Sequence, residues 1–165
     1  MERWSIELSK EDFKFSAAHF LIFPDGSAER LHGHNYRVFL EVAGELSEFG
    51  LVIDFQKIKP VVRELLATLN ERFLVPGEHR ELRVKEVEPE SVEITYRERR
   101  YVIPSLDVRV LPVNNTSTEN LAAFLGREML RILPIEFPDV RVRQLRLAVE
   151  ETLGQRGVYE FLADE

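Results

Sequence analysis

In the segment Leu31-His32-Gly33-His34-Asn35-Tyr36, two histidines stand two residues apart and run straight into the alternating apolar positions Val38, Leu40 and Val42. That period of two is the signature of a strand, on which residues i and i+2 share a face. His32 and His34 therefore point the same way. An earlier segment, Phe13-Lys14-Phe15-Ser16-Ala17-Ala18-His19, ends on a third histidine that shares its parity with Phe13, Phe15 and Ala17. If the two strands pair, all three imidazoles converge on one patch. Three neutral nitrogens with a free fourth position suit a catalytic Zn2+ site better than a structural one, which four protein ligands would close. The plainer alternative is two loop histidines and one satisfied core histidine.

The rest of the chain must provide a frame for those strands. Its 165 residues point to one domain, 1–165, with room for a real core. Residues 2 to 19 read as strand material with a bulge or turn near Ser9-Lys10-Glu11, and 34 to 46 as a second long strand. Asp54 is a plausible N-cap for a helix whose apolar positions are Ile58, Val61, Val62, Leu65, Leu66 and Leu69. From Pro76 to Pro112 the chain turns charged and β-like. Val92–Tyr96 and Tyr101–Ile103 read as a hairpin across Arg97-Glu98-Arg99-Arg100. Ser117 or Thr118 caps a second helix, and alternation returns from Val140 to Val149 and again from Val158 to Leu162, around a turn at Gly154. The order ββα, hairpin, αββ predicts an α+β fold: an antiparallel sheet with two helices on one face.

Composition narrows the function classes. Zero cysteines exclude disulfides, thiolate zinc ligands and a cysteine nucleophile. A formal charge of −7 argues against a nucleic-acid partner, which would need a basic face. No run of about 18 apolar residues predicts a membrane span, and Met1-Glu2-Arg3-Trp4 does not open a signal peptide, so the expected location is cytoplasmic.

Five segments in order carry a resemblance: Phe15-Ser16-Ala17-Ala18-His19, Leu31-His32-Gly33-His34-Asn35-Tyr36, Val52-Ile53-Asp54-Phe55, Thr118-Glu119-Asn120-Leu121 and Glu151-Thr152. Together they resemble the 6-pyruvoyl-tetrahydropterin synthase family, which includes the 6-carboxytetrahydropterin synthases of deazapurine biosynthesis. The resemblance implies the tunnel fold (T-fold), a four-stranded antiparallel sheet with two helices per subunit. Trimers or hexamers close such sheets into a barrel, so a homo-oligomer is expected. It implies a pterin triphosphate as substrate, and His19, His32 and His34 as zinc ligands. Glu151 matches the carboxylate that anchors the pterin ring, and Glu119, in Thr118-Glu119-Asn120, matches a second substrate-contacting glutamate, with Thr118 beside it as a further substrate-binding candidate. The plainer readings are a surface strand acid for Glu151 and a helix-capping acid for Glu119.

Two departures bear on the chemistry. The family's usual cysteine is absent, but Glu29 lies three residues before His32, where a glutamate variant of the family carries its acid. That variant resembles an enzyme cleaving dihydroneopterin triphosphate to 6-hydroxymethyl-dihydropterin. The family's Asp-His pair corresponds here to Asn70-Glu71. Asn70 cannot ionise, which leaves Glu71 as a second candidate base, or a solvated residue past a helix capped by Asn70. The expected activity is a zinc-dependent lyase, with Glu29 first and Glu71 second as base. A 6-pyruvoyl or 6-carboxy product made with a substitute base, a non-catalytic pterin- or zinc-binding protein and a zinc hydrolase on another fold are the rivals. Residues 77–110 form an inserted hairpin or arm. Its Arg97, Arg99 and Arg100 have the charge to attract a triphosphate, although interspersed acids favour a solvated hairpin. His79 is expected in an exposed loop.

Overall fold

Residues 2–164 are described by a computed structural model. The strand carrying the two histidines, β3 (His32–Gly44), is its spine. One flank of β3 pairs antiparallel with β1 (Trp4–Leu8) and with β2 (Lys14–His19), which follow each other along it. The other flank pairs antiparallel with β9 (Val142–Thr152), and β9 in turn pairs with β10 (Gln155–Leu162). These are the four antiparallel columns that the family resemblance implies. The sheet then continues past β2 through two strands in parallel, β4 (Arg72–Pro76) and β8 (Val108–Leu111), giving a mixed sheet of seven strands.

The two helices cover one face. Asp54 caps α1 (Phe55–Ala67), its carboxylate accepting from Gln56 N at 2.8 Å, and Ser117 caps α2 (Thr118–Glu136), its hydroxyl accepting from Asn120 N at 3.3 Å. Removing such a cap costs about 1 kcal/mol. Ile58, Val62, Leu65 and Leu66 of α1 and Leu121, Leu125, Met129 and Leu133 of α2 pack on the inward positions of the sheet. Those positions are Val38, Leu40 and Val42 on β3 and Leu145, Leu147 and Val149 on β9, so the period of two decides which side faces the core.

The C-terminus of α1 departs from expectation. The cap is Thr68, whose hydroxyl donates to Leu65 O at 2.7 Å, and Asn70 lies beyond it. Asn70 Oδ1 accepts from Ser16 N (2.9 Å), and Glu71 N donates to Ser16 O (2.7 Å), fastening the helix exit to β2. Glu71 reaches that position with φ of 56°.

The charged stretch is more than a hairpin. β5 (Leu82–Val87), β6 (Ser91–Tyr96) and β7 (Arg99–Pro104) form a separate three-stranded antiparallel sheet. The turn between β6 and β7 is only Arg97-Glu98, because Tyr96 already pairs with Arg99. Its inward residues Leu82, Val92, Ile94 and Tyr96 build a second core with Phe20, Ile22, Phe73 and Val75. This small sheet thus packs against the loop that separates β2 from the paired histidines. His79 is half-buried rather than exposed, with its ring 5.6 Å from that of Tyr96.

Candidate metal centre

His19 ends β2 and His32 begins β3, and the register sets these two residues opposite each other. His34 lies opposite Ala17, two residues along on the same face. The three rings stand 4.8 to 5.3 Å apart, and one nitrogen from each lies within 4.8 Å of the others. The trio occupies the end of the core face, and its burial is graded: His19 is fully enclosed, while His32 and His34 are half-buried.

Backbone carbonyls orient two of the rings. His19 Nδ1 is 3.0 Å from Thr116 O, and His32 Nδ1 is 2.7 Å from Arg30 O. A carbonyl can only accept, so each Nδ1 carries the proton and each Nε2 presents its lone pair. This is the outer-shell arrangement that fixes the tautomer of metal-binding histidines. Burial, the largest cause, pushes the His19 imidazole below its ordinary pKa; the Thr116 carbonyl and Glu151 act in the opposite direction. The neutral ring is the form that coordinates a metal. The donor set therefore fits zinc: three imidazole nitrogens, no thiolate and nearby carboxylates.

Two carboxylates approach the trio at different histidines. Glu151 Oε1 is 3.4 Å from both His19 Nε2 and His34 Nε2. Glu29 Oε2 is 3.8 Å from His32 Nε2 and also accepts from Leu21 N at 3.1 Å. Tyr36 OH lies 3.1 Å from His19 Nε2, and burial, followed by Glu151, raises the phenol far above its usual pKa. It stays a neutral hydrogen-bonding group.

The other sequence-derived candidates lie farther out. Thr118 and Glu119 open α2, two and three residues after the Thr116 that holds His19; Glu119 is exposed and accepts from Thr118 Oγ1 at 3.2 Å. Glu71 is exposed and lines, with His34, Arg72 and Asp107, an open depression of about 500 Å³. Two contributors escaped the sequence reading. Thr116 acts through its backbone, which no side-chain pattern reveals. Tyr36 shares the parity of His34, a signal that was present. Glu150, the neighbour of Glu151, has its partners away from the trio: only 2% exposed, it accepts from Arg156 Nε (2.9 Å) and Gly154 N (3.2 Å), with Arg37 at 3.6 Å.

A curled, largely antiparallel sheet with two helices on one face, bearing three histidines and flanking carboxylates, defines a tetrahydropterin synthase, a lyase-type enzyme of pterin pathways. Residues 7–160 match the family described as 6-pyruvoyl tetrahydropterin synthase, and the chain belongs to that family. It is 29% identical over 148 residues to a putative 6-carboxy-5,6,7,8-tetrahydropterin synthase of Methanocaldococcus jannaschii, covering 88% of each chain. A protein of the same description from Pyrococcus horikoshii is 30% identical over 131 residues, covering 79% of this chain and 78% of that one. The crystal structure of the Plasmodium vivax 6-pyruvoyl tetrahydropterin synthase superposes with a TM-score of 0.90 at 27% identity, covering 99% of this chain and 100% of that one. Further structures of the P. vivax protein carry alanine or cysteine in place of a catalytic glutamate.

Proposed function

We propose that the chain is a zinc-dependent lyase that cleaves the side chain of dihydroneopterin triphosphate, or a close relative, to 6-hydroxymethyl-dihydropterin. The observation that carries this reading is the Glu29 carboxylate 3.8 Å from His32 Nε2, in a chain without cysteine. The catalytic glutamate of the P. vivax protein supports it. His19, His32 and His34 would hold the zinc, which supplies Lewis-acid polarisation and a template for the side-chain hydroxyls.

Glu29 then serves as general base, within reach of a substrate hydroxyl placed beside His32. It takes the proton from the C2′ hydroxyl and the C1′–C2′ bond breaks. C2′ becomes a carbonyl carbon, and the electron pair passes to C1′, which takes up a proton. Glu71, which lines the same depression as His34, is the second candidate. Glu151 anchors the pterin ring, because a carboxylate accepts two hydrogen bonds from the ring amino group and its neighbouring N–H. Thr118 and Glu119 add polar contacts from the start of α2.

A homo-trimer or hexamer is the inferred assembly, since β10 and β8 end the strand path as open edges suited to closure against further copies. A cytoplasmic setting belongs to the same proposal. A second reading, formation of a 6-carboxy product, is favoured by the descriptions of the two archaeal relatives.

The test is anaerobic incubation of the zinc-loaded protein with dihydroneopterin triphosphate, followed by mass spectrometry. A 6-hydroxymethyl product is expected. A 6-carboxy or 6-pyruvoyl product would transfer the assignment to the second reading or the parent activity, and unchanged substrate would reject this substrate.

A further inference from the structure

The three arginines at the β6–β7 turn have different partners. Arg97 pairs with Glu81 at 3.1 Å and Arg100 with Glu93 at 2.5 Å, as a solvated hairpin would arrange them. Arg99 instead turns inward. Its guanidinium donates to Ala28 O at 2.6 Å and to Glu29 O, and lies 6.0 Å from the Phe20 ring centre. Tyr96, its cross-strand partner, donates to Gly26 O at 2.7 Å.

These bonds fall on the loop that carries Glu29. Three successive carbonyls there are taken up by side chains: Ala28 and Glu29 by Arg99, and Arg30 by His32 Nδ1. Across the loop, Glu29 N donates to Leu21 O at 3.0 Å, and the Glu29 carboxylate accepts from Leu21 N. Glu29 is thus held between Leu21 and a planar two-donor fork. Lysine, a single point donor, does not reproduce that fork.

We infer that Arg99 is a positioning residue: through its fork on the Ala28 and Glu29 carbonyls, the three-stranded sheet holds the Glu29 carboxylate at its place beside His32. This rests on Glu29 being the base. The sheet then has a task in catalysis without touching the substrate. A base displaced by about 1 Å costs on the order of 10²-fold in rate, whereas binding by distant residues is untouched.

The experiment compares Arg99→Met, Arg99→Lys, Tyr96→Phe, Glu29→Gln and the Glu29→Gln/Arg99→Met double variant, all zinc-loaded. The readouts are kcat, KM, bound zinc and hydrogen exchange of peptides spanning residues 20–31. Arg99→Met is expected to lower kcat about 10²-fold with KM and zinc content little changed, and to speed exchange in residues 20–31 but not in β3. Arg99→Lys and Tyr96→Phe should fall between it and the wild type. In the double variant, the loss of Arg99 should add nothing to the loss of Glu29. An equal Arg99 effect with and without Glu29 would overturn the inference, as would unchanged exchange in the loop. Full turnover by Glu29→Gln would sink the base assignment itself, whereas an inactive Glu29→Gln beside a fully active Arg99→Met would overturn the Arg99 inference alone.

Discussion

Gly157 of β10 lies against the first turn of α2 so closely that a Cβ on it would stand 2.3 Å from the backbone nitrogen of Glu119. No real side chain is accommodated at that separation, and the opposing atoms are backbone. Gly157→Ala must therefore push the start of α2, with Thr118 and Glu119, away from the sheet. Overpacking of this kind costs about 1–3 kcal/mol, and a chain of this size loses roughly 2–4 °C of Tm per kcal/mol. Thermal melts of the variant should show that drop.

Zinc should stabilise the folded chain through the three imidazoles. At free zinc 100 times its Kd, the gain is about 2.7 kcal/mol. Melts with and without a chelator should differ for the wild type and coincide for His19→Ala, His32→Ala and His34→Ala. A persisting difference in any of the three would remove that histidine from the ligand set.

Glu29 and Glu71 should separate cleanly in steady-state kinetics. Loss of a general base costs about 10²–10⁴-fold, so Glu29→Gln is expected to fall within that range. Glu71→Gly should stay within the same order of magnitude as the wild type. Because Glu71 adopts φ of 56°, a conformation costing a side chain-bearing residue roughly 1–2 kcal/mol, the glycine variant should also melt no lower than the wild type.

Acid should weaken the fold through Glu150. The hydrogen bond from Arg156, reinforced by Gly154 N and Arg37, holds its pKa below the usual carboxylate value. A depressed carboxylate contributes stability that is present above the unfolded pKa of about 4.3 and is lost as pH falls through the folded value. Glu150→Gln should therefore flatten the fall of Tm below about pH 4.3, while leaving the protein less stable at neutral pH. A slope as steep as that of the wild type would show that other carboxylates govern the acid limb.

The legibility of the chain tracked how far function was written in side chains at fixed period. His19, His32 and His34 could be assigned to one face because strand parity is local, and their register needed only one pairing to be right. β4 escaped because Arg72-Phe73-Leu74-Val75-Pro76 does not alternate: a strand flanked by parallel neighbours buries both faces and reads as a continuous apolar run. β5 escaped for the opposite reason, its four central residues being exposed and mostly charged. Arg99 could not be told from Arg97 and Arg100 by sequence, since what sets it apart is a pair of carbonyls some 70 residues earlier.

The bond between His19 and Thr116 spans 97 residues of chain. All three imidazoles are made before the carbonyl that sets the His19 tautomer. An ion met at that stage finds nitrogens without a fixed orientation, and coordination of this kind gains its strength only as the fold closes around it. Any metal the protein takes up would thereby be held at full strength only once the segment leading into α2 has joined the sheet.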